Sequence, residues 1–328
     1  MPSRSASRRG RSLQGALLVD KPAGPTSHDV VAFVRRVLDV DRAGHTGTLD
    51  PLATGLLIVL AGSATRLAQF LGADEKEYVA EVRLGLATPT YDAASLDEAA
   101  GPATTVQRPT DAELETVLSR FRGAFLQTPP PHSAKKIGGV AAYERARKSQ
   151  PVELSPVPVT VRELELLGNT DAGRVTSGAD ARDATLVRLR VAAGAGFYVR
   201  SLAHDLGRAL GCGAHLESLR RTRAGRFRVE DALTLDRLES EAAGRLVSPS
   251  ELLGHMPAVS VTEDGARRVN HGNSVAGAQV DTDTGDSRLL SPITGTAPLF
   301  RVLNGEGRLV AIAEARPGGV LQPVVVLR

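Results

Sequence analysis

AGHTGTLDPLATGLL, residues 43–57, packs one carboxylate, one imidazole and three glycines into a run with neither helical nor alternating periodicity. Glycines admit positive φ and close approach to the main chain, and Pro51 fixes the backbone immediately after Asp50. Asp50 is therefore presented by a turn instead of being carried inside an element. A G-x-L-D-P turn with a solvated Asp is the ordinary reading of such a stretch. A phosphate-cradling G-x-x-x-x-G-K-[ST] loop is excluded, because no lysine follows the second glycine.

Regular structure flanks this stretch. GALLVD, residues 15–20, reads as a short buried strand that runs into DKPAGPTS, where prolines forbid regular structure. Ser27 is expected to cap a helix whose apolar residues Val30, Val31, Val34, Val37 and Leu38 keep helical spacing. Downstream, LLIVL (56–60) reads as a buried strand and SATRLAQFL as a helix starting at Ser63. From Glu77 to Leu84 the pattern alternates, placing Tyr78, Ala80, Val82 and Leu84 on one face of a half-buried strand. Thr110 and Glu113 form a T-x-x-E capping box ahead of Leu114, Val117, Leu118 and Phe121.

Further along, residues 127–148 begin with three prolines and carry five or six basic side chains, as suits an adaptable loop that closes on a polyanion. Strands at 157–167 and 185–191 flank a Gly- and Asp-rich excursion, residues 168–184, expected to be a surface hairpin. In GAGFYVRSLAHDLGRALGCG, Val199, Leu202, Ala203, Leu206 and Leu210 define a helix stripe that Gly211 or Gly213 stops, with Arg200 in the first turn. Residues 240–257 shift in composition and mark a boundary; strands and turns follow, with a hairpin expected at Asn304-Gly305 between Leu303 and Leu309.

A length of 328 residues predicts one large or two unequal domains. The single cysteine, Cys212, excludes an intramolecular disulfide and a multi-cysteine zinc site. Its C-x-x-H spacing to His215 supplies too few ligands for a metal, so none is expected. No run of 18 apolar residues occurs, and residues 1–12 are basic without the apolar core of a signal peptide. They read as a disordered arm of a cytoplasmic protein with no membrane partner. Net charge is only +3, but seven arginines fall between Arg200 and Arg228 against Asp205 and Glu217, an excess suited to phosphates. With aromatics at 3% and no Trp, the chain is no platform for stacking many bases.

Four stretches, DKPAGPTS, AGHTGTLDPLATG, KEYVAEVRLG and GFYVRSLAHDLG, resemble the TruB family of tRNA pseudouridine-55 synthases, in family order and across roughly Leu13 to Leu238. The resemblance implies an α+β pseudouridine synthase fold on a mixed, mainly antiparallel sheet with flanking helices. It divides the chain into a catalytic domain (13–240) with an RNA-clamping insertion (about 125–150), a linker (241–256) and residues 257–328. The last segment resembles a PUA module, a small RNA-binding β-barrel. The resemblance also makes Asp50 the essential carboxylate, Arg200 its ion-pair partner and Tyr78 the ring that holds the base. Tyr198 and Leu219 become pocket walls, His45 a wedge into the RNA, a partner for a displaced base or a loop histidine bonded to its own turn, and Lys21 either a buttress of the loop or a phosphate contact. Where the family usually has Tyr in the insertion, this chain has His132.

Pseudouridine formation breaks the bond from ribose to uracil N1, turns the base and rejoins it through C5, a chemistry that needs no cofactor. One carboxylate starts it by attacking the ribose, adding to the ring or removing a sugar proton, and the sequence leaves these three open. The implied partner is tRNA, through its T-arm stem-loop, with a monomeric enzyme and no obligate protein partner. Two other readings stand beside this one. A nucleoside hydrolase would add a second carboxylate or a metal to deliver water, and a non-enzymatic RNA-folding protein would use the basic surface alone.

Overall fold

The computed structural model describes residues 13–72, 74–98, 108–133, 136–137, 140–141, 154–177, 180–280 and 297–327. The expected basic arm and half of the insertion at 125–150 lie outside the described residues.

Nine strands carry the larger part: β1 (Gly15–Lys21), β2 (Ala43–His45), β3 (Thr54–Ala61), β4 (Lys76–Leu84), β5 (Gly123–Gln127), β6 (Val157–Ser177), β7 (Asp180–Ala193), β8 (Ala214–Ala224) and β9 (Leu233–Thr234). They run in the order β9-β1-β3-β8-β4-β7-β6-β5, with β2 added to β3 and the two-residue strand Phe227–Arg228 added to β8. The β1–β9 and β3–β8 pairs are parallel and the others antiparallel, which is the mixed, mainly antiparallel sheet expected. The β6–β7 ladder continues to Ser177 opposite Asp180, so the Gly-rich excursion extends the hairpin itself.

Helices α1 (Ser27–Leu38), α2 (Asp111–Leu118) and α3 (Val199–Ala209) cover one face of the sheet. There Val30, Val34, Leu114, Leu118, Leu202 and Leu206 join Leu17, Val19, Leu57, Val59, Ala80 and Val82 in one apolar cluster. Side chains alternate along a strand, so Ala16, Leu18, Leu56, Ile58 and Leu60 point to the opposite face. They are buried too, in a second cluster. A central strand covered on both faces reads as a continuous apolar run, which explains LLIVL. Two glycines allow backbones to meet: a Cβ on Gly207 of α3 would lie 2.2 Å from the Ala214 nitrogen of β8, and one on Gly55 would lie 2.3 Å from the Arg221 carbonyl oxygen.

Four more strands, β10 (Ala258–Ser260), β11 (Leu299–Leu303), β12 (Leu309–Arg316) and β13 (Val320–Val326), form a second sheet in chain order, with α4 (Glu263–Asn270) beside it. Its β11–β12 turn is the hairpin expected, closed by Asn304 N–H donating to the Arg308 carbonyl at 3.0 Å. Where a small barrel was expected, the described residues form an open sheet, and β10 and β13 are not paired with each other. Two local expectations are also corrected. Thr26, not Ser27, caps α1, because its side chain forms a capping box with Asp29. SATRLAQFL turns first as a 3-10 helix over Gly62–Leu67 and becomes α-helical only at Ala68–Leu71.

Candidate active site

The turn that holds Asp50 is anchored from three sides. Ser27, the first residue of α1, is buried, and its Oγ both accepts from the Leu49 nitrogen at 2.9 Å and donates to the Leu49 carbonyl at 3.0 Å. Lys21, at the end of β1, is wholly buried; its Nζ donates to the carbonyls of Pro22, Pro51 and Ala53 at 2.9, 3.3 and 2.7 Å. Three carbonyls surround the Lys21 ammonium, and the residue has no exposed surface. Gly24 N–H donates to the Pro51 carbonyl at 2.9 Å, which ties DKPAG to LDP.

Arg200 arrives from the first turn of α3, directly after Tyr198, which precedes the helix in extended conformation. Gln127 at the end of β5 fixes that entry: its Oε1 accepts from the Tyr198 nitrogen at 2.9 Å and its Nε2 donates to the Tyr198 carbonyl at 3.1 Å. The guanidinium meets Asp50 with two nitrogens, Nε to Oδ2 at 3.0 Å and Nη2 to Oδ1 at 3.3 Å. Its remaining N–H groups donate to the Thr90 carbonyl at 3.1 Å and the His132 carbonyl at 2.9 Å, and Nη1 lies 3.4 Å from Asp92 Oδ2. Arg200 is buried at 6% exposure, so this planar fork is held on every edge.

The turn carrying Thr90 and Asp92 has its own support. Asp92 Oδ1 accepts from Thr90 Oγ1 at 2.6 Å and from the Ala94 nitrogen at 3.0 Å. Between them Tyr91 takes φ 64°, a left-handed conformation that costs a bulky residue about 1 kcal/mol. Its ring stacks on His204 of α3 with centroids 3.8 Å apart and planes 10° from parallel.

Asp50, Arg200, Tyr78, Tyr198 and Leu219 open onto one cleft of about 280 Å³. The same cleft continues past Thr46 and Gly47 to Lys76 and Arg221. His45 is not among its lining residues: it ends β2, its ring meets His28 edge-on at 5.8 Å, and its Nδ1 is buried without a hydrogen-bond partner among the described residues. Asp50 exposes about a third of its side chain, at 35%, and lines the cleft, yet burial of the carboxyl pushes its pKa up. Arg200 and Lys21 oppose that rise and Asp92 adds to it. Burial also raises the phenol of Tyr198 and lowers the ammonium of Lys21 and the imidazole of His45.

The arginine belt divides in a way its density in sequence did not suggest. Arg200 and Arg221 are buried, Arg220 forks onto Asp20 at 3.0 and 2.8 Å, and Arg223 pairs with Glu75 at 2.9 Å. Arg208, Arg226 and Arg228 are left on the surface. Sequence reasoning missed Asp92, Lys76 and Arg221 as cleft or near-cleft groups. Lys76 opens the alternating run of β4 and carried a usable signal, being a lysine at a buried register position. Asp92, inside a polar Ala-rich connection, carried none.

Family models match most of this region: "TruB family pseudouridylate synthase (N terminal domain)" over residues 35–199 and "tRNA pseudouridylate synthase B C-terminal domain" over residues 200–252. The chain is 42% identical over 320 residues to tRNA pseudouridine synthase B of Solibacter usitatus, covering 96% of this chain and 100% of that protein. It is 41% identical over 314 residues to the protein of the same name from Thermobifida fusca, covering 95% and 98%. Among solved structures, one of an H/ACA ribonucleoprotein bound to a substrate RNA containing 2'-deoxyuridine has a chain that superposes with a TM-score of 0.64 at 26% identity, covering 96% of this chain and 85% of that one. The chain belongs to the TruB family of pseudouridylate synthases.

Proposed function

We propose that this chain converts uridine 55 in the T-loop of tRNA to pseudouridine, with Asp50 as the carboxylate that opens the reaction. The observation that carries the reading is the Asp50–Arg200 fork at 3.0 and 3.3 Å, set in a cleft whose volume of about 280 Å³ has room for one base. A carboxylate in a dry site tends to protonate and fall silent. The guanidinium opposes this, and its anchors on Thr90 and His132 keep it from following the carboxylate as charge develops.

In this reading a uridine leaves its stack and enters beside Asp50, at a cost of a few kcal/mol repaid by contacts elsewhere. Asp50 acts at the sugar–base junction and uracil is freed. Tyr78, Tyr198 and Leu219 confine the detached ring while it turns, and Asp50 or the Tyr78 phenol takes the C5 proton after rejoining. Exclusion of water matters, because a freed base with water at the ribose would give hydrolysis. Asp92 is the only other carboxylate touching Arg200 among the described residues, and its side chain is 4% exposed with its oxygens on Thr90, Ala94 and Arg200. That arrangement favours the isomerase over a nucleoside hydrolase.

Residues 13–240 would hold the chemistry and residues 257–328 would place the tRNA, in a monomer acting in the cytoplasm without an obligate protein partner. The test is direct: incubate the protein with unmodified tRNA and with an isolated T-arm stem-loop, then map pseudouridine by carbodiimide adduct and primer extension. Modification at position 55 in both RNAs is expected. Release of free uracil, or modification elsewhere, would overturn the assignment.

A further inference from the structure

The far end of the cleft holds two buried cations, and among the described residues no carboxylate forms an ion pair with either. Lys76 is 8% exposed and Arg221 3% exposed, and both line the cleft that Asp50 lines. Lys76 Nζ donates to the carbonyls of Gly72 and Asp74, each at 2.6 Å, while Arg221 Nε donates to the Leu56 carbonyl at 2.6 Å and Nη2 to the Gly47 carbonyl at 3.1 Å. Among the described residues neither cation forms an ion pair with a carboxylate: Asp74 gives Lys76 a backbone oxygen while its carboxylate acts only from beyond ion-pair distance, and Asp50 is taken by Arg200. Carbonyl dipoles solvate an ammonium and a guanidinium without cancelling their charge. A lone buried cation is expensive and is ordinarily paired or neutralised.

Geometry brings the two charges to one place. A Cβ placed on Gly47 would lie 3.4 Å from Arg221 Nη1 and 3.9 Å from Lys76 Cε, so the bare glycine leaves open the space that both cations border. Arg221 Nη1 has no hydrogen-bond partner among the described residues, and an ammonium carries three donors, of which Lys76 commits two. The cleft thus has one end where Asp50 is paired with Arg200, and a cationic end with donors to spare.

We propose that Lys76 and Arg221 form a subsite for one backbone phosphate flanking the extruded uridine. The inference rests on the reading of the chain as an enzyme that draws a nucleotide out of RNA. A flipped nucleotide remains tied to its strand through two phosphates, and one of these must accompany the sugar toward Asp50. Anchoring that phosphate sets the depth of the ribose in the cleft while the base itself comes free. The subsite therefore holds the sugar, the part of the substrate that does not turn.

The test neutralises the phosphate and the cation separately and together. T-arm stem-loops are made with all natural linkages, or with a single methylphosphonate on the 5' or the 3' side of the target uridine, and kcat/KM is measured with wild type and Lys76→Met. One of the two neutral linkages is expected to cost wild type about tenfold, as is typical of losing a charge-assisted hydrogen bond in a dry site. Lys76→Met should lose a similar factor on the natural RNA and lose little more on that neutral RNA. Gly47→Ala fills the space without demanding a left-handed backbone, and should raise KM more than it lowers kcat. Because Lys76→Met risks misfolding, the neutral-linkage result on wild type stands on its own. Equal turnover of all three RNAs by wild type, or losses that multiply in the combination, would overturn the subsite. Absence of pseudouridine from the natural stem-loop would instead strike at the functional reading itself.

Discussion

Two buried arginines line one cleft, yet their surroundings differ in kind. Arg200 faces Asp50 and Asp92 and is held by carbonyls at its remaining edges, whereas Arg221 has, among the described residues, carbonyls alone. Pairing with two carboxylates makes Arg200 a device for setting the charge and orientation of a neighbour. Solvation by dipoles leaves the charge of Arg221 available to something from outside. The contrast separates a site for chemistry from a site for holding, although the two residues are 21 positions apart in a stretch that looks uniformly basic.

The sharpest way to break this comparison is at the carboxylate. Asp50→Asn should lower turnover by at least about 10³-fold, the scale seen when a residue central to the chemistry is removed. Its tRNA affinity should stay within about tenfold, or roughly 1.4 kcal/mol, because phosphate contacts dominate binding. Filter binding beside a turnover assay checks both. Next comes Arg200→Lys, which keeps the charge and loses the fork; kcat should fall about 10²-fold with KM little changed. Full activity in that variant would dissolve the distinction between the two arginines.

A smaller effect is expected at Asp92. Asp92→Asn removes one hydrogen-bonded charge from Arg200 and should cost about fivefold in kcat, near 1 kcal/mol. It should also displace the pH profile. Burial raises the Asp50 carboxyl and Asp92 contributes to the rise, so the acid limb of kcat/KM should lie above the ordinary aspartate value in wild type and move down in Asp92→Asn. Stability has the opposite sign. Between the ordinary and the raised pKa the native state holds a proton on Asp50 that the unfolded chain has lost, so this group's contribution to stability falls as pH rises through that window. Asp50→Asn should remove that slope from a series of urea titrations. Smallest of all is Tyr91: Tyr91→Ala keeps a strained φ and loses the stack on His204, for a loss of about 1 kcal/mol in unfolding free energy. Tyr91→Gly loses the stack but not the backbone fit, and should be the more stable of the two in urea.

Asp50, Arg200, Tyr78, Tyr198 and Leu219 were all legible in the sequence, because each sits in a stretch whose letters resemble those of a known family, and the structure brings all five to one cleft. Continuous apolar runs such as LLIVL announced a sheet covered on both faces. Asp92 was not legible, since a turn acid in an Ala-rich connection looks solvated until a distant arginine is folded against it. Arg220 and Arg223 misled for a related reason: Asp20 and Glu75, which neutralise them, are 200 and 148 positions away. Ser27 misled over a single residue, because Thr26 beside it satisfies the same capping pattern with Asp29.

The second face of the large sheet has a consequence for how the chain can be cut. Leu309, Ile312 and Leu327 of the C-terminal part share an apolar cluster with Leu18, Ile58, Leu60, Leu67 and Leu252. Arg66 reinforces the junction by donating to the Val326 carbonyl at 2.7 Å. The two sheets are thus joined by common core instead of a tether, and heat should melt them in one cooperative transition. An exchange of C-terminal modules between relatives would have to carry the matching face of β1 and β3 along with it, so inheritance of the two parts is expected to be linked by packing before any question of RNA arises.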